Sequence, residues 1–125
     1  MDDQTRHALS RGHRIDMTTT GRRSGQPRRI EIVFHNFGGR LYISGTPRAD
    51  RKRAWLLNLE ADPHFTFHLT GAHPVDLPAT ARVITDEAER RAVLVEVARA
   101  WNRDDIDTMV RDSPLIEVTL DELAA

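Results

Sequence analysis

The chain has 125 residues, of which 39% are hydrophobic and 30% are charged, and its formal net charge is −1. This size and composition are typical of one globular domain, and they exclude a disordered chain or a bundle of membrane-spanning helices. The sequence has no cysteine, which excludes a disulfide framework and a thiolate metal site. We expect a single domain over residues 1–125 in which 1–13 is loosely ordered or helical, and a cytoplasmic location because no signal peptide is recognisable.

The first half of the chain predicts three strands. Residues 14–20 are rich in β-branched types and predict a first strand that ends at Gly21. Residues 28–35 alternate between apolar and polar side chains and predict a second strand. A turn at 36–39 contains two glycines, which supply positive φ at little cost, and it predicts a hairpin with a return strand over 40–45.

The second half predicts helices between strands. Residues 51–61 have helical character, 65–69 alternate as a strand, and 74–84 read as a longer strand whose prolines suit a sheet edge. Asp86 with Glu89 three residues later is a capping box and predicts the start of another helix.

An apolar stripe continues that helix through Val93, Val97 and Trp101, and a final strand is predicted over 115–120. About six antiparallel strands with two or three short helices indicate a mainly β (α+β) fold. We therefore expect a small barrel whose ends are covered by helices.

Positive charge is concentrated in one third of the chain. Residues 22–53 carry nine Arg or Lys against two carboxylates, whereas 54–125 carry six against fourteen. A basic segment of this kind is expected to face an anionic ligand. Nucleic acid is disfavoured because the segment has no aromatic interleaving of the base-stacking type and no recognisable reading helix.

The most basic stretch, TTTGRRSGQPRR over 18–29, places arginines around a glycine turn. Gly21 and Gly25 let backbone amides converge, and flanking guanidiniums hold phosphate or carboxylate through paired hydrogen bonds. An anion cradle and a merely solvated loop are about equally favoured on composition, and the ligand stays unnamed. The arginines concerned are Arg22, Arg23, Arg28 and Arg29.

This stretch, the hairpin with GG at its turn and the segment AWLLNLEADPHFTFHL resemble the deazaflavin-dependent nitroreductase and quinone reductase family, over roughly residues 14–101. Members use coenzyme F420 on a split β-barrel of the FMN-binding type. The resemblance implies a reductase that transfers a hydride from reduced F420 to a quinone, enone or nitro acceptor. FMN is the alternative cofactor because it also has a phosphate. It differs from F420 in lacking the glutamate tail.

The resemblance also implies a set of cofactor-binding residues. The glycine turn would lie at the phosphate, the segment that begins at Thr46 would line the ring and tail, and a tryptophan would close the groove. Arg51 and Lys52 are added to this set for their charge. The full set is Arg22, Arg23, Ser24, Gly25, Pro27, Arg28, Thr46, Arg51, Lys52 and Trp55.

No catalytic residue is assigned. His35 is either a hydrogen-bond donor to the acceptor or a surface histidine, and His64 and His68 share a strand face without the convergence that a metal requires. Tyr42 is the only tyrosine, so the substrate-side tyrosines of nitro-drug-reducing members are missing. That absence keeps open a non-catalytic protein that binds a flavin, deazaflavin, tetrapyrrole or fatty-acyl ligand. A homodimer is expected because small split barrels often complete their grooves by pairing subunits.

Overall fold

The computed structural model describes residues 1–121, and six antiparallel strands form a closed barrel in it. The strands are β1 (Arg14–Thr20), β2 (Pro27–Phe37), β3 (Arg40–Ser44), β4 (His64–Leu69), β5 (Val75–Val83) and β6 (Leu115–Leu120). They follow the order β1-β2-β3-β6-β5-β4, and β1 also pairs with β4. The helices are α1 (Asp3–Leu9), α2 (Ala54–Ala61), α3 (Glu87–Trp101) and α4 (Ile106–Asp112). The predicted barrel is confirmed.

The predicted hairpin is present between β2 and β3. Gly38 and Gly39 have φ values of 64° and 92°, which lie in the region that a tight hairpin turn requires. Phe34 pairs with Ile43 in the register that this turn sets, and both side chains are fully buried inside the barrel.

The expectation that the proline-containing strand lies at a sheet edge is wrong. β5 pairs with β4 on one side and with β6 on the other, so that the described barrel closes through it. Pro78 lies opposite Thr66 of β4, and pairing with β6 begins at the next residue, Ala79. Because proline lacks an amide hydrogen, its place just before the second ladder lets the strand tolerate it.

The core has two layers. The barrel interior is filled by side chains with at most 1% exposure, among them Ile15, Met17, Phe34, Ile43 and Phe67. A second cluster lies where α3 and α4 cover the barrel, and it contains Tyr42, Leu94, Val97, Met109 and Leu115. No helix within residues 1–121 combines the length and apolar character that crossing a membrane requires.

Helix α3 begins as predicted, with the Asp86 side chain accepting from the Glu89 amide at 2.9 Å. Residues 1–121 contain four helices, against the two or three that were predicted. The helical alternative for 1–13 is realised in α1, but α4 was not predicted at all. It has only seven residues, and its N-cap Asp105 makes no side-chain capping bond, so the sequence carries no strong start signal there.

Arg90 joins α3 to α4 and to the barrel. Its guanidinium donates to the carbonyls of Ile84 at 2.9 Å, Val110 at 2.8 Å and Ser113 at 2.6 Å. The last carbonyls of a helix lack intrahelical partners and form its negative end, so this cation caps α4.

Arg90→Met should lower the free energy of unfolding by about 3 kcal/mol, measured by urea denaturation. Arg91→Met, which breaks only exposed ion pairs, is the control, and an equal loss there would refute the capping role.

Candidate functional site

The loop between β1 and β2 is closed by its own hydrogen bonds. The Gly21 amide donates to the Gln26 carbonyl and the Gly25 amide donates to the Gly21 carbonyl, both at 2.8 Å. The Ser24 hydroxyl accepts from the Gln26 amide at 3.1 Å and from the Arg28 guanidinium at 3.3 Å. Gly25 has a φ of 71°, and a Cβ on Gly21 would lie 2.7 Å from Ser24 Oγ. The loop therefore needs glycine at both positions.

Helix α2 fixes this loop through Asn58, whose side chain is 3% exposed. Asn58 Oδ1 accepts from the Arg22 amide at 3.1 Å and from its guanidinium at 3.3 Å. Asn58 Nδ2 donates to Thr19 Oγ1 at 3.1 Å, and Thr19 is also buried. The sequence analysis did not assign Asn58. Its only signal was one amide within the apolar run WLLNL, where a buried polar group needs partners.

A cavity of about 360 Å³ lies between the loop and α2, and we call it the loop cavity. Three of its arginines, Arg22, Arg23 and Arg28, make no ion pair with any carboxylate of residues 1–121. Ile30 and Trp55 give the same cavity an apolar wall. The arrangement suits a ligand in which an anionic group is attached to an apolar body.

The structure brings half of the predicted site residues to the loop cavity, namely Arg22, Arg23, Ser24, Arg28 and Trp55. Gly25 and Pro27 shape the loop without lining the cavity, since Pro27 begins β2 opposite Thr20. Arg29 extends from the other face of β2, where it pairs with Asp16 at 3.0 Å. Strand alternation therefore separates two neighbouring arginines into a cavity residue and a surface ion pair.

The remaining cationic residues of the predicted set line a different cavity, of about 450 Å³, which we call the second cavity. Arg51 and Lys52 lie in its wall together with Arg53, and the two cavities have no lining residue in common. Thr46 lines neither cavity, and its hydroxyl accepts from the Arg53 guanidinium at 3.0 Å. α2 contributes residues to both cavities.

His35 lies in neither cavity. It is 5% exposed, and its ring stacks on that of Phe37 with the centroids 5.4 Å apart. The ring centroid of Trp101 lies 5.3 Å from that of His35. Burial lowers the pKa of His35 to about 4, so the imidazole is neutral at pH 7. The interpretation of His35 as a surface histidine is wrong, because packing against Trp101 of α3 buries its ring.

His64 and His68 both lie on β4, as the alternating pattern predicts. His68 Nδ1 donates to the Asp76 carboxylate at 2.7 Å, and its Nε2 lies 2.7 Å from Thr18 Oγ1. His64 is exposed on the same strand. Within residues 1–121, no group of three or more histidine or acidic side chains is placed to hold a metal ion.

Several solved structures share this fold. The chain is similar to an F420-H2 dependent reductase at 22% identity and a TM-score of 0.63, covering 85% of this chain and 93% of that one. It is also similar to an F420 reductase at 17% identity and a TM-score of 0.67, and the match covers 96% of this chain and 95% of that one. HutZ, a heme storage protein from Vibrio cholerae, matches at 13% identity and a TM-score of 0.68, and the match covers 96% of this chain and 89% of that one. These likenesses define the class by fold alone, as a split β-barrel protein.

The family follows from the sequence of the whole barrel. A model of the family described as F420H(2)-dependent quinone reductase matches residues 3–121. The chain therefore belongs to that family, and the resemblance inferred from TTTGRRSGQPRR is confirmed.

Proposed function

We propose that the protein is a reductase that binds coenzyme F420 in the loop cavity and reduces a quinone or another activated double bond. The observation that supports this most is that the guanidiniums of Arg22, Arg23 and Arg28, which pair with no carboxylate within residues 1–121, lie beside an apolar wall. F420 combines a phosphodiester and a glutamate tail with a flat, largely apolar ring. The residues present therefore fit such a cofactor in both charge and polarity.

Each side of the loop cavity has its own task in this proposal. The guanidiniums of Arg23 and Arg28 bind the phosphodiester through charge-assisted hydrogen bonds, and the Ser24 hydroxyl adds a donor. Ile30 and Trp55, which line the cavity, would support the apolar ring. Bound reduced deazaflavin supplies the hydride, and the chain holds the acceptor close to the hydride-donating carbon. Gly25 and Pro27 act by shaping the loop.

The acceptor side favours a quinone or enone over a bulky nitro compound. Tyr42 is the sole tyrosine, and it is 5% exposed within the cluster beneath α3 and α4. No tyrosine is therefore available at the loop cavity to stack on a large nitroaromatic ring. Comparing oxidation of reduced F420 by menadione and by a bicyclic nitroimidazole tests this preference, which fails if the nitro compound is the better acceptor.

Arg28→Gln should weaken F420 binding by roughly 10- to 100-fold, because it removes a charge-assisted contact to the phosphodiester. Arg29→Gln is the matched control, since Arg29 is the next residue and pairs with Asp16 away from the cavity. Fluorescence titration of F420 into each variant measures the two affinities, and higher salt should reduce the difference. Equal weakening in both variants would show that the loop cavity does not bind the phosphodiester.

A second candidate is a non-catalytic protein that binds a tetrapyrrole, which the fold likeness to the heme storage protein HutZ favours. Hemin and FMN titrations on the same preparation separate the candidates from F420. Binding of hemin with a shifted Soret band, together with no binding of F420, would replace the reductase proposal. FMN binding tighter than that of F420 would keep the reduction chemistry and change the cofactor.

We also propose a homodimer. One similar structure, at 22% identity and a TM-score of 0.63, is described as a domain-swapped dimer. The proposal depends on this likeness and on the tendency of small split barrels to complete their grooves by pairing subunits. Light scattering should give about twice the 14.2 kDa of one chain.

A further inference from the structure

The second cavity is strongly cationic. It lies where the segment before α2 meets the end of β5 and the junction between α4 and β6. Its carboxylates are Glu60 and Asp112. Its basic residues outnumber them and are Arg48, Arg51, Lys52, Arg53, Arg90 and Arg111.

Some of these cations already have anionic partners. Lys52 pairs with Glu60 at 3.1 Å, and Arg111 pairs with Asp112 at 3.0 Å. Arg48 likewise pairs with Asp50 at 3.0 Å. Glu60 and Asp112, the two carboxylates that line the second cavity, are therefore both paired already.

The cations that remain are not compensated. Arg90 donates only to backbone carbonyls, whose partial negative charges compensate a full positive charge only in part. Arg51 and Arg53 make no ion pair with a carboxylate within residues 1–121. Burial, and then the neighbouring charge of Arg48, lower the pKa of Arg53. Placing an anion in the cavity would relieve this repulsion.

Ser113 provides an independent indication of a ligand. It lines the second cavity, its side chain is 4% exposed, and its buried Oγ has no hydrogen-bond partner among the described residues. A buried hydroxyl without a partner costs free energy, and native proteins rarely keep one without a use. Rotation of the Ser113 side chain towards the cavity would give this hydroxyl an acceptor on a bound anion.

We propose that the second cavity is a separate binding site for an anion that carries at least two closely spaced phosphate or carboxylate groups. Arg51 and Arg53 bind the charges, and the Ser113 hydroxyl donates to the same ligand. Two sources present this chemistry, namely a γ-linked oligoglutamate, such as the tail of F420, and a free phosphorylated metabolite. The oligoglutamate source rests on the proposed function, whereas the free metabolite does not, because the two cavities share no lining residue.

Isothermal titration of the full chain with pyrophosphate and, separately, with γ-linked triglutamate tests the site. We expect at least one of them to bind with a dissociation constant of about 1 mM or less. Tighter binding of triglutamate identifies a tail site, and tighter binding of pyrophosphate identifies a site for a free metabolite. Failure of both probes to bind at about 10 mM would overturn the proposal.

Variants locate the bound anion. Arg51→Gln and Arg53→Gln should each weaken binding by roughly tenfold. Ser113→Ala should also weaken it while leaving the unfolding free energy of the ligand-free protein unchanged or higher, because only the ligand uses that hydroxyl. Arg99→Gln makes the same charge change on the exposed surface of α3. Equal weakening in that control would mean that the probes respond only to net charge, and the site would be rejected.

Arg28→Gln separates this proposal from the cofactor assignment. If pyrophosphate binding survives Arg28→Gln and is lost in Arg53→Gln, the second cavity is the site even where F420 fails to bind. If Arg28→Gln abolishes it instead, the anion occupies the loop cavity, and the second-cavity proposal is wrong.

Discussion

Replacing Asn58 with leucine is expected to lower the free energy of unfolding by about 3 kcal/mol and to weaken F420 binding by roughly tenfold. The substitution keeps the side-chain size but removes the amide. Thr19 Oγ1 and the Arg22 amide then lose their partner, which they contact at 3.1 Å in each case. Burying such groups without a partner costs about 1–3 kcal/mol each. If F420 binds in the loop cavity as proposed, Asn58 is a positioning residue, since its hydrogen bonds hold Arg22 and the loop.

Leu59→Ala is the control that separates positioning from general destabilisation. Leu59 follows Asn58 on α2, is 2% exposed in the barrel core, and lines neither cavity. Its truncation should cost about 3 kcal/mol through the space left in the core. Urea denaturation and F420 titration, both at a temperature where each variant is folded, measure the two effects. If Leu59→Ala weakens F420 binding as much as Asn58→Leu does, the positioning role is refuted.

Local sequence signals predicted the parts of the barrel that local interactions determine. The turn at 36–39 was predictable because Gly38 and Gly39 supply the positive φ of a tight connection. The start of α3 was predictable because Asp86 caps it within three residues. Each of these features depends on contacts between residues that are close in the chain.

Features set by distant contacts were missed or misread. The prolines near Pro78 suggested an edge, but β5 gains its second neighbour from β6, which lies far along the chain. α4 depends on Arg90 of another helix for its C-terminal cap. His35 alternates onto the outer face of β2, and only the packing of α3 against that face buries it. Hydrophobic patterning does not encode which outer face a later helix will cover.

The candidate site divides in the same way. That Arg22, Arg23 and Arg28 line one cavity was predictable, because the glycine turn and the arginines beside it are neighbours in the sequence. Asn58 was not, since its role depends on the approach of α2 to a loop 36 residues earlier. The separation of Arg51 from the loop cavity was equally hidden, because charge counting treats a basic segment as one surface.

The stability of the protein should decrease as the pH falls from about 6.5 to about 4, because His35 is buried without charge. The native pKa of His35 is about 4, and we take the ordinary histidine pKa of 6.5 for the unfolded chain. Protons therefore bind preferentially to the unfolded state in this window, so the contribution is complete above pH 6.5 and is lost as the pH decreases through the native pKa. The difference corresponds to a loss of about 3 kcal/mol.

Urea denaturation at pH intervals between 8 and 4 compares the wild type with His35→Phe, which keeps an aromatic ring between Phe37 and Trp101. Any packing effect of the larger ring displaces the whole stability curve equally, whereas loss of the imidazole removes the slope in this window. The depressed carboxyl pKa values of Asp76 and Glu89 act at lower pH and are common to both proteins. His64→Gln, at an exposed position, should retain the wild-type slope. If His35→Phe retains it too, another group causes the acid sensitivity, and His35 is not buried as described.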